Sequence, residues 1–286
     1  MSNSDKSTLL QLNYKLLNNF FYSYVLIFWV FKWIKNLQLH QLDQPVLAYV
    51  GMDPLYWFLV AIGFPQAIVN STLLSASIDI TILLAALGSL FFHNKKLFNW
   101  VFTSCYFIYF LVFNTYLAHH FHSVGILFVS LIFLNKGESR SSWNTFLFVR
   151  YYFFFMLFSA FLWKLLRGNF LDVNYFSSLL RQQNIYFLQA NAGSWKSDLL
   201  FYLIENPMVS HVLWVGLMLL QASFCVGFFT RRFDLYGIFL FLAFIVGSWL
   251  LMNIENFDNL IWLLVLMPFG TLLNKKELKN IPNRFI

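Results

Sequence analysis

Apolar residues in this chain fall into runs of about twenty, separated by short polar stretches. A helix needs about that length to cross the hydrocarbon core of a bilayer. The shorter stretch 55–66 is bounded by prolines and predicts a re-entrant or interfacial segment. We therefore predict an all-α, polytopic membrane helix bundle of about eight transmembrane helices plus that segment. The predicted spans are 17–35, 71–92, 98–118, 122–135, 143–165, 208–229, 234–252 and 258–273.

The loop between the fifth and sixth predicted spans, residues 166–207, is long and amphipathic. Its segments 169–181 and 197–204 mix aromatic and leucine positions with polar ones at roughly helical spacing. Such helices usually lie in the membrane interface and cover a site that opens outward, although capping the bundle is an equally open interpretation. No internal repeat or linker interrupts the chain. We predict one integral membrane domain over 1–286.

Basic residues in the loops predict the orientation. With the amino terminus in the cytoplasm, the cytoplasmic side receives Lys6, Lys15, Lys95, Lys96, Lys136, Arg140, Arg231, Arg232, Lys275, Lys276, Lys279 and Arg284. The outer side receives Lys32, Lys35, Lys164, Arg167, Arg181 and Lys196. The excess on the first side favours both termini in the cytoplasm, with a basic tail over 274–286. The net charge of +7 then reflects this bias and does not indicate nucleic acid as a partner.

The first apolar stretch has no small-residue cleavage site and runs into Lys32 and Lys35. We expect it to be a retained span and not a signal peptide. Cys105 and Cys225 lie in separate apolar runs and form no CxxC pair. We expect both cysteines to be buried and to pack as small hydrophobic residues, and they give no support to a redox site.

The segment from Arg150 to Lys164 is an apolar helix with a cation at each end. Fourteen residues place the two cations on one helical face, about 40° apart. They lie roughly 21 Å apart along the axis. A lysine near hydrocarbon snorkels, pairs with another group, or lines a functional cavity. The predicted topology brings Lys164 to the same membrane face as His119, His120 and His122.

A histidine beside a partly desolvated lysine is a workable acid–base unit, which could take a proton from a hydroquinone. From spacing alone, however, snorkelling of Lys164 to the headgroups and a wet loop for the histidines is the favoured interpretation. The histidines have no Asp, Glu or Cys near them in sequence, whereas a transition metal usually needs three or four N, O or S ligands. We predict no metal site.

The stretch Arg150–Leu165 resembles the signature helix of the vitamin K-dependent γ-carboxylase-like membrane family, which includes the bacterial horizontally transferred transmembrane (HTTM) and DoxX-like proteins. The match consists of Arg150, Phe154-Phe155, Ser159-Ala160 and Lys164-Leu165. His122-Ser123 and the apolar span after it resemble another family motif. The stretches 219–232 and 249–257 resemble the next two family helices, so that the resemblance covers roughly 15–275.

The resemblance implies that Lys164 is the base that deprotonates a quinol, that His122 is its proton partner, and that Arg150 positions the helix or an anionic group. A quinone or hydroquinone would be the implied cofactor or substrate. The chain departs from the family at three positions. Gln221 stands where the family usually has an acid, Ile245 where it has a histidine, and Phe161 where it has a glycine. The large soluble region of carboxylases is absent, which argues against glutamate carboxylation.

Two functions from different classes follow. The first is a membrane enzyme that acts on a quinone or another lipid-soluble substrate through Lys164. The second is a non-catalytic membrane scaffold, or a maturation or assembly partner for a secreted peptide or an envelope complex. A transporter is a weaker third alternative, because no matching pair of broken helices is found. We expect the protein in the bilayer of the bacterial inner membrane.

Overall fold

The computed structural model describes residues 3–42, 54–93, 95–116, 124–135, 139–254 and 257–267. Within these ranges the regular structure is helical and no strand occurs. The α-helices are α1 Asn3–Ile34, α2 Pro54–Ala61, α3 Phe64–Val69, α4 Thr72–Phe91, α5 Lys96–Tyr116, α6 Val124–Ser130, α7 Ser139–Leu166, α8 Tyr175–Ala190, α9 Trp195–Glu205, α10 Pro207–Ser223, α11 Asp234–Met252 and α12 Leu263–Leu266. The 3-10 segments are Leu39–Gln41, Leu131–Phe133, Phe224–Phe228 and Phe257–Trp262. The all-α prediction is confirmed for the described part.

Five segments in the described ranges are long and apolar enough to cross a membrane. Only 17–44% of the residues in each are buried inside the protein, so most of their apolar surface needs lipid around it. The chain is therefore an integral membrane protein. The five segments are Thr72–Phe91, Lys96–Tyr116, Trp143–Leu166, Pro207–Phe228 and Asp234–Met252.

The remaining predicted spans are less regular. The predicted span 17–35 lies within the longer α1 except for its last residue, whereas the apolar helices Val124–Phe133 and Phe257–Leu266 are short. The stretch 55–66 forms the two short helices α2 and α3. They are separated at Gly63, whose φ of 68° is in the left-handed region that glycine adopts without strain.

The chain divides into two compact units, Met1–Val149 and Arg150–Ile286. In the first unit, α4 packs against α1 and α5. Aromatic rings of α1 and α5 fill its core, where Phe21 meets Tyr22 and Phe102 edge to face. A buried hydrogen bond also joins α1 to α5, in which the Tyr22 hydroxyl donates to Asn99 Oδ1 at 3.0 Å. Such bonds are strong in an apolar interior, where no water competes for them.

In the second unit, α8, α9 and α10 pack around one apolar cluster. The buried positions of α8 include 176, 180, 184 and 188, a spacing that forms one helical stripe. Ser194 caps α9 by accepting a hydrogen bond from Ser197 N, and Pro207 occupies the first turn of α10. The predicted segment 197–204 therefore lies within α9, whereas the predicted segment 169–181 is helical only from Tyr175 onward, where α8 begins. The single-domain prediction and the interfacial location of these helices stay predictions.

Candidate functional site

Lys164 lies in the last turn of α7, where its side chain meets α10. Its Nζ donates a hydrogen bond of 2.7 Å to Gln221 Oε1. The same Nζ lies 5.6 Å from the ring centroid of Trp214. Trp214 and Gln221 are seven residues apart and therefore share one face of α10. The amine is thus held between an amide oxygen and an indole ring.

Further aromatic side chains pack on Trp214, the ring next to this lysine–amide pair. Trp214 stacks on Phe176 of α8 with 5.3 Å between ring centroids and contacts Tyr175 at 5.2 Å. Phe161 of α7 packs against the same apolar cluster. An apolar surround of this kind strengthens each polar contact inside it and favours apolar ligands.

Helix α10 also carries two polar atoms that lack a hydrogen-bond partner in the described structure. They are the indole Nε1 of Trp214 and the Nδ1 of His211. The indole N–H can only donate. A substrate oxygen next to the lysine–amide pair is a group that would satisfy such a donor.

Arg150, at the other end of the motif, is 1% exposed and fully engaged. Its guanidinium donates two bonds to the Asp234 carboxylate, from Nη1 at 2.7 Å and from Nη2 at 2.8 Å. Nη2 also donates to the carbonyl oxygens of Gly227 and Thr230 at 3.1 and 3.3 Å. This planar fork joins α7 to the segment between α10 and α11. These bonds leave little of the guanidinium for a ligand.

A second lysine–amide pair lies on α9. Lys196 Nζ donates to Asn253 Oδ1 at 2.6 Å and lies 4.7 Å from the ring centroid of Phe187. Partial burial lowers the pKa of Lys196 from its usual value. The pair ties α9 to Asn253, the residue that caps the carboxyl end of α11, and it offers a chemical match for Lys164 in experiments.

His122, predicted as the proton partner of Lys164, lies outside the described residues, as do His119 and His120. Their contacts are therefore not part of the site described above. Among the described residues, no group of three His, Cys, Asp or Glu side chains is arranged to hold a metal ion. Cys105 and Cys225 are free and half-buried.

Sequence reasoning missed two buried ionisable groups of the first unit. Asp79 of α4 contacts His40 in the 3-10 segment Leu39–Gln41, with 2.7 Å between Oδ2 and Nδ1. Lys32, 2% exposed, donates to the Tyr109 hydroxyl at 2.7 Å. The available signal for Asp79 was a lone carboxylate inside an uncharged apolar span, which marks a functional candidate by itself.

The fold and this site define a helical integral membrane protein that carries a lysine–amide pair among aromatic side chains. No family model, curated protein or solved structure matches this chain.

Proposed function

We propose that the chain is a membrane enzyme similar to the HTTM and vitamin K carboxylase-like proteins, in which Lys164 removes a proton from a lipid-soluble hydroxyl compound such as a quinol. The observation that carries this proposal is the bond between Lys164 Nζ and Gln221 Oε1 in an aromatic surround. Tyr175 and Phe176 extend the aromatic surface of Trp214, and Trp214 adds an N–H donor without a partner in the described structure. Such a site suits an aromatic ring with oxygen substituents.

The neutral partner of the lysine matters for this chemistry. A carboxylate at position 221 would form an ion pair and hold the proton on the amine, whereas an amide oxygen accepts a hydrogen bond without a full charge. In the proton step, the O–H bond of the substrate breaks and an N–H bond forms at Nζ, while the oxygen keeps the electron pair. The resulting quinolate is more easily oxidised by dissolved dioxygen than the quinol.

The other positions have smaller parts in this proposal. His122 is the proposed proton partner of Lys164, on the strength of the resemblance alone. Arg150 positions α7 through its bonds to Asp234. Ile245 is buried and apolar, so the position at which the family has a histidine provides no proton site in this chain.

Oxygen uptake by the purified protein with reduced quinones tests the enzyme proposal. We expect quinol-dependent uptake in the wild type and its loss in Lys164→Met, which keeps much of the apolar stem and removes the amine. Lys196→Met is the matched control, because that lysine also donates to a side-chain amide, and it retains activity. Gln221→Glu is expected to lower turnover by about a hundredfold, since general base catalysis contributes roughly 10²–10⁴-fold. A folded wild type without uptake for any quinol refutes the proposal.

The proposal includes eight spans in the bacterial inner membrane, with both termini in the cytoplasm. The five long apolar segments and the basic-residue bias support it. Single cysteines at two exposed positions test it in a variant without the native cysteines. A membrane-impermeant maleimide is expected to label Asp198→Cys in intact cells, and Arg232→Cys only after permeabilisation. The opposite labelling pattern refutes the orientation.

A second candidate function is a non-catalytic scaffold for a secreted peptide or an envelope complex. Arg150 and Lys164 both have hydrogen-bond partners within the protein, so that these contacts can serve to hold the fold together without a substrate. This observation favours the scaffold. Complementation in cells that lack the chromosomal copy of the gene separates the two functions. Full rescue by Lys164→Met supports the scaffold, and failure of a folded Lys164→Met protein supports the enzyme.

A further inference from the structure

Helix α4 carries a single ionisable side chain, Asp79, about two turns from its start. The side chain is 3% exposed and lies within an apolar span. A carboxylate in this setting is costly, and such residues usually mark a functional site with a specific partner. The Lys164 site of the second unit makes no use of it.

The partner of Asp79 is the 3-10 segment Leu39–Gln41. The carboxylate accepts hydrogen bonds from Leu39 N at 3.3 Å and His40 N at 3.1 Å, and its Oδ2 lies 2.7 Å from Nδ1 of the His40 ring. An ionised carboxylate can only accept, so the tautomer of His40 that pairs with an ionised Asp79 is the one with the proton on Nδ1. In that neutral tautomer the other ring nitrogen, Nε2, has the lone pair of a proton acceptor.

The turn that presents His40 is held firmly. Gln41 Nε2 donates to Trp33 O at 3.2 Å, and the Tyr109 hydroxyl donates to Leu37 O at 2.8 Å. A base on a rigid turn needs little reorganisation when it accepts a proton. The His40 side chain is 31% exposed, so molecules from outside can reach the ring.

The charged and titratable groups around this turn are few in the described structure. Helices α3, α4 and α5 pack against it. Helix α3 has no titratable residue, α4 contributes Asp79, and α5 contributes Tyr109, whose hydroxyl holds the Lys32 ammonium at 2.7 Å. Lys35 lies over the ring of Phe31, 5.6 Å from its centroid.

We propose that His40 and Asp79 form a second acid–base site, independent of Lys164, that acts on weakly acidic hydroxyl groups of small amphiphilic molecules. His40 Nε2 takes the hydroxyl proton, so that the O–H bond breaks, an N–H bond forms and the oxygen keeps the electron pair. The proton later leaves Nε2 for the same oxygen or for water. Asp79 is the positioning residue, which orients the ring and stabilises the imidazolium without taking the proton.

The end of α1 lies beside the turn, because Gln41 Nε2 donates to the carbonyl oxygen of Trp33. Trp33 and Ile34 are apolar and more than half exposed. These exposed side chains indicate the substrate class, since a molecule that reaches His40 past them needs an apolar body as well as the hydroxyl group. Phenols meet both requirements, since their ring partitions to a membrane surface and their hydroxyl is weakly acidic.

The first test determines the tautomer of His40 by ¹⁵N NMR on histidine-labelled protein in nanodiscs. The His40 signal is identified as the one that is absent from the spectrum of His40→Gln. We expect the Nδ1–H tautomer in the wild type and the loss of this tautomer in Asp79→Asn. His211, which has no carboxylate partner in the described structure, is the control in the same spectrum. An Nε2–H form of His40 in the folded wild type overturns the proposal.

The second test measures proton abstraction with 4-nitrophenol, whose phenolate absorbs visible light, below the pH at which the free probe ionises. We expect nanodiscs that carry the Lys164→Met protein, whose proposed first site lacks its amine, to show a saturable phenolate signal above that of empty nanodiscs. The signal disappears when His40→Gln is added, because the imidazole that takes the proton is absent. It falls less in Asp79→Asn.

His40→Gln and Asp79→Asn are made in the Lys164→Met background, so that the phenolate signal reports the second site and not the proposed Lys164 function. Lys196→Met in the same background is the control and keeps the signal. An unchanged signal after His40→Gln, or no signal in the folded Lys164→Met protein, overturns the proposal. Helix content by circular dichroism verifies that the variants fold, and the NMR tautomer tests the wild type without any substitution.

Discussion

The buried ion pair between Arg150 and Asp234 leads to the sharpest stability prediction. Replacing Arg150 by Met removes two bonds to the carboxylate and two bonds to backbone carbonyl oxygens. Breaking a buried pair on one side costs about 3–5 kcal/mol, because the remaining charge stays buried without compensation. Arg231, 3.5 Å from the same carboxylate, offsets part of that loss. We therefore expect a cost of about 3 kcal/mol, at the lower end of this range.

The measurement is reversible unfolding in mixed micelles, followed by circular dichroism across a denaturing detergent series. Arg167→Met is the matched control, because Arg167 directly follows the end of α7, is exposed and lies over the ring of Trp163. We expect that control to cost less than about 1 kcal/mol. The double variant Arg150→Met, Asp234→Leu removes both charges, and we expect it to unfold at a smaller cost than the sum of its two single variants. Equal stability of Arg150→Met and Arg167→Met refutes the reasoning.

Two further predictions concern close packing and a buried hydroxyl. Gly227→Ala places a methyl group on the ring of Phe154 and is expected to cost about 1–3 kcal/mol in the same unfolding assay. Gly216→Ala is the control, because a methyl group at this position of α10 meets no other atom, and it is expected to be neutral or slightly stabilising. Equal stability of these two variants contradicts the packing. Tyr109→Phe removes the hydroxyl that holds a buried ammonium and is expected to cost about 1–3 kcal/mol, while Tyr186→Phe, at an 84% exposed position, stays within about 0.5 kcal/mol. A neutral Tyr109→Phe contradicts that part of the argument.

The sequence predicted the long spans well because a bilayer needs an uninterrupted apolar run, which composition records directly. The prediction 234–252 coincides with α11, and 71–92 differs from α4 by one residue at each end. Hydropathy marks where a chain can cross a membrane but not where a helix begins. The prediction therefore missed the beginning of the first helix, because α1 starts at Asn3, well before the predicted span 17–35.

The sequence did not predict which residues that are distant along the chain contact each other in the fold. Lys164 was predicted as a site residue, but its bond to Gln221, 57 residues away, needed the packing of α7 on α10. The His40–Asp79 contact was missed for a related reason, because it depends on how a short turn after α1 folds back onto α4. Asp79 itself was visible as a lone charge in an apolar span, a signal that calls for a search for its partner.

The Arg150–Asp234 pair also has a consequence for how the protein is made. Arg150 precedes its partner by 84 residues in the chain. At a synthesis rate of about 5–20 residues per second, Arg150 leaves the ribosome roughly 4–17 s before Asp234 does. During that interval the cation of α7 lacks its carboxylate and is costly to release into lipid. The insertion machinery therefore has to retain α7, or keep it near water, until α11 has been synthesised, and a ribosome that stalls between the two helices leaves a nascent chain that cannot complete its membrane assembly.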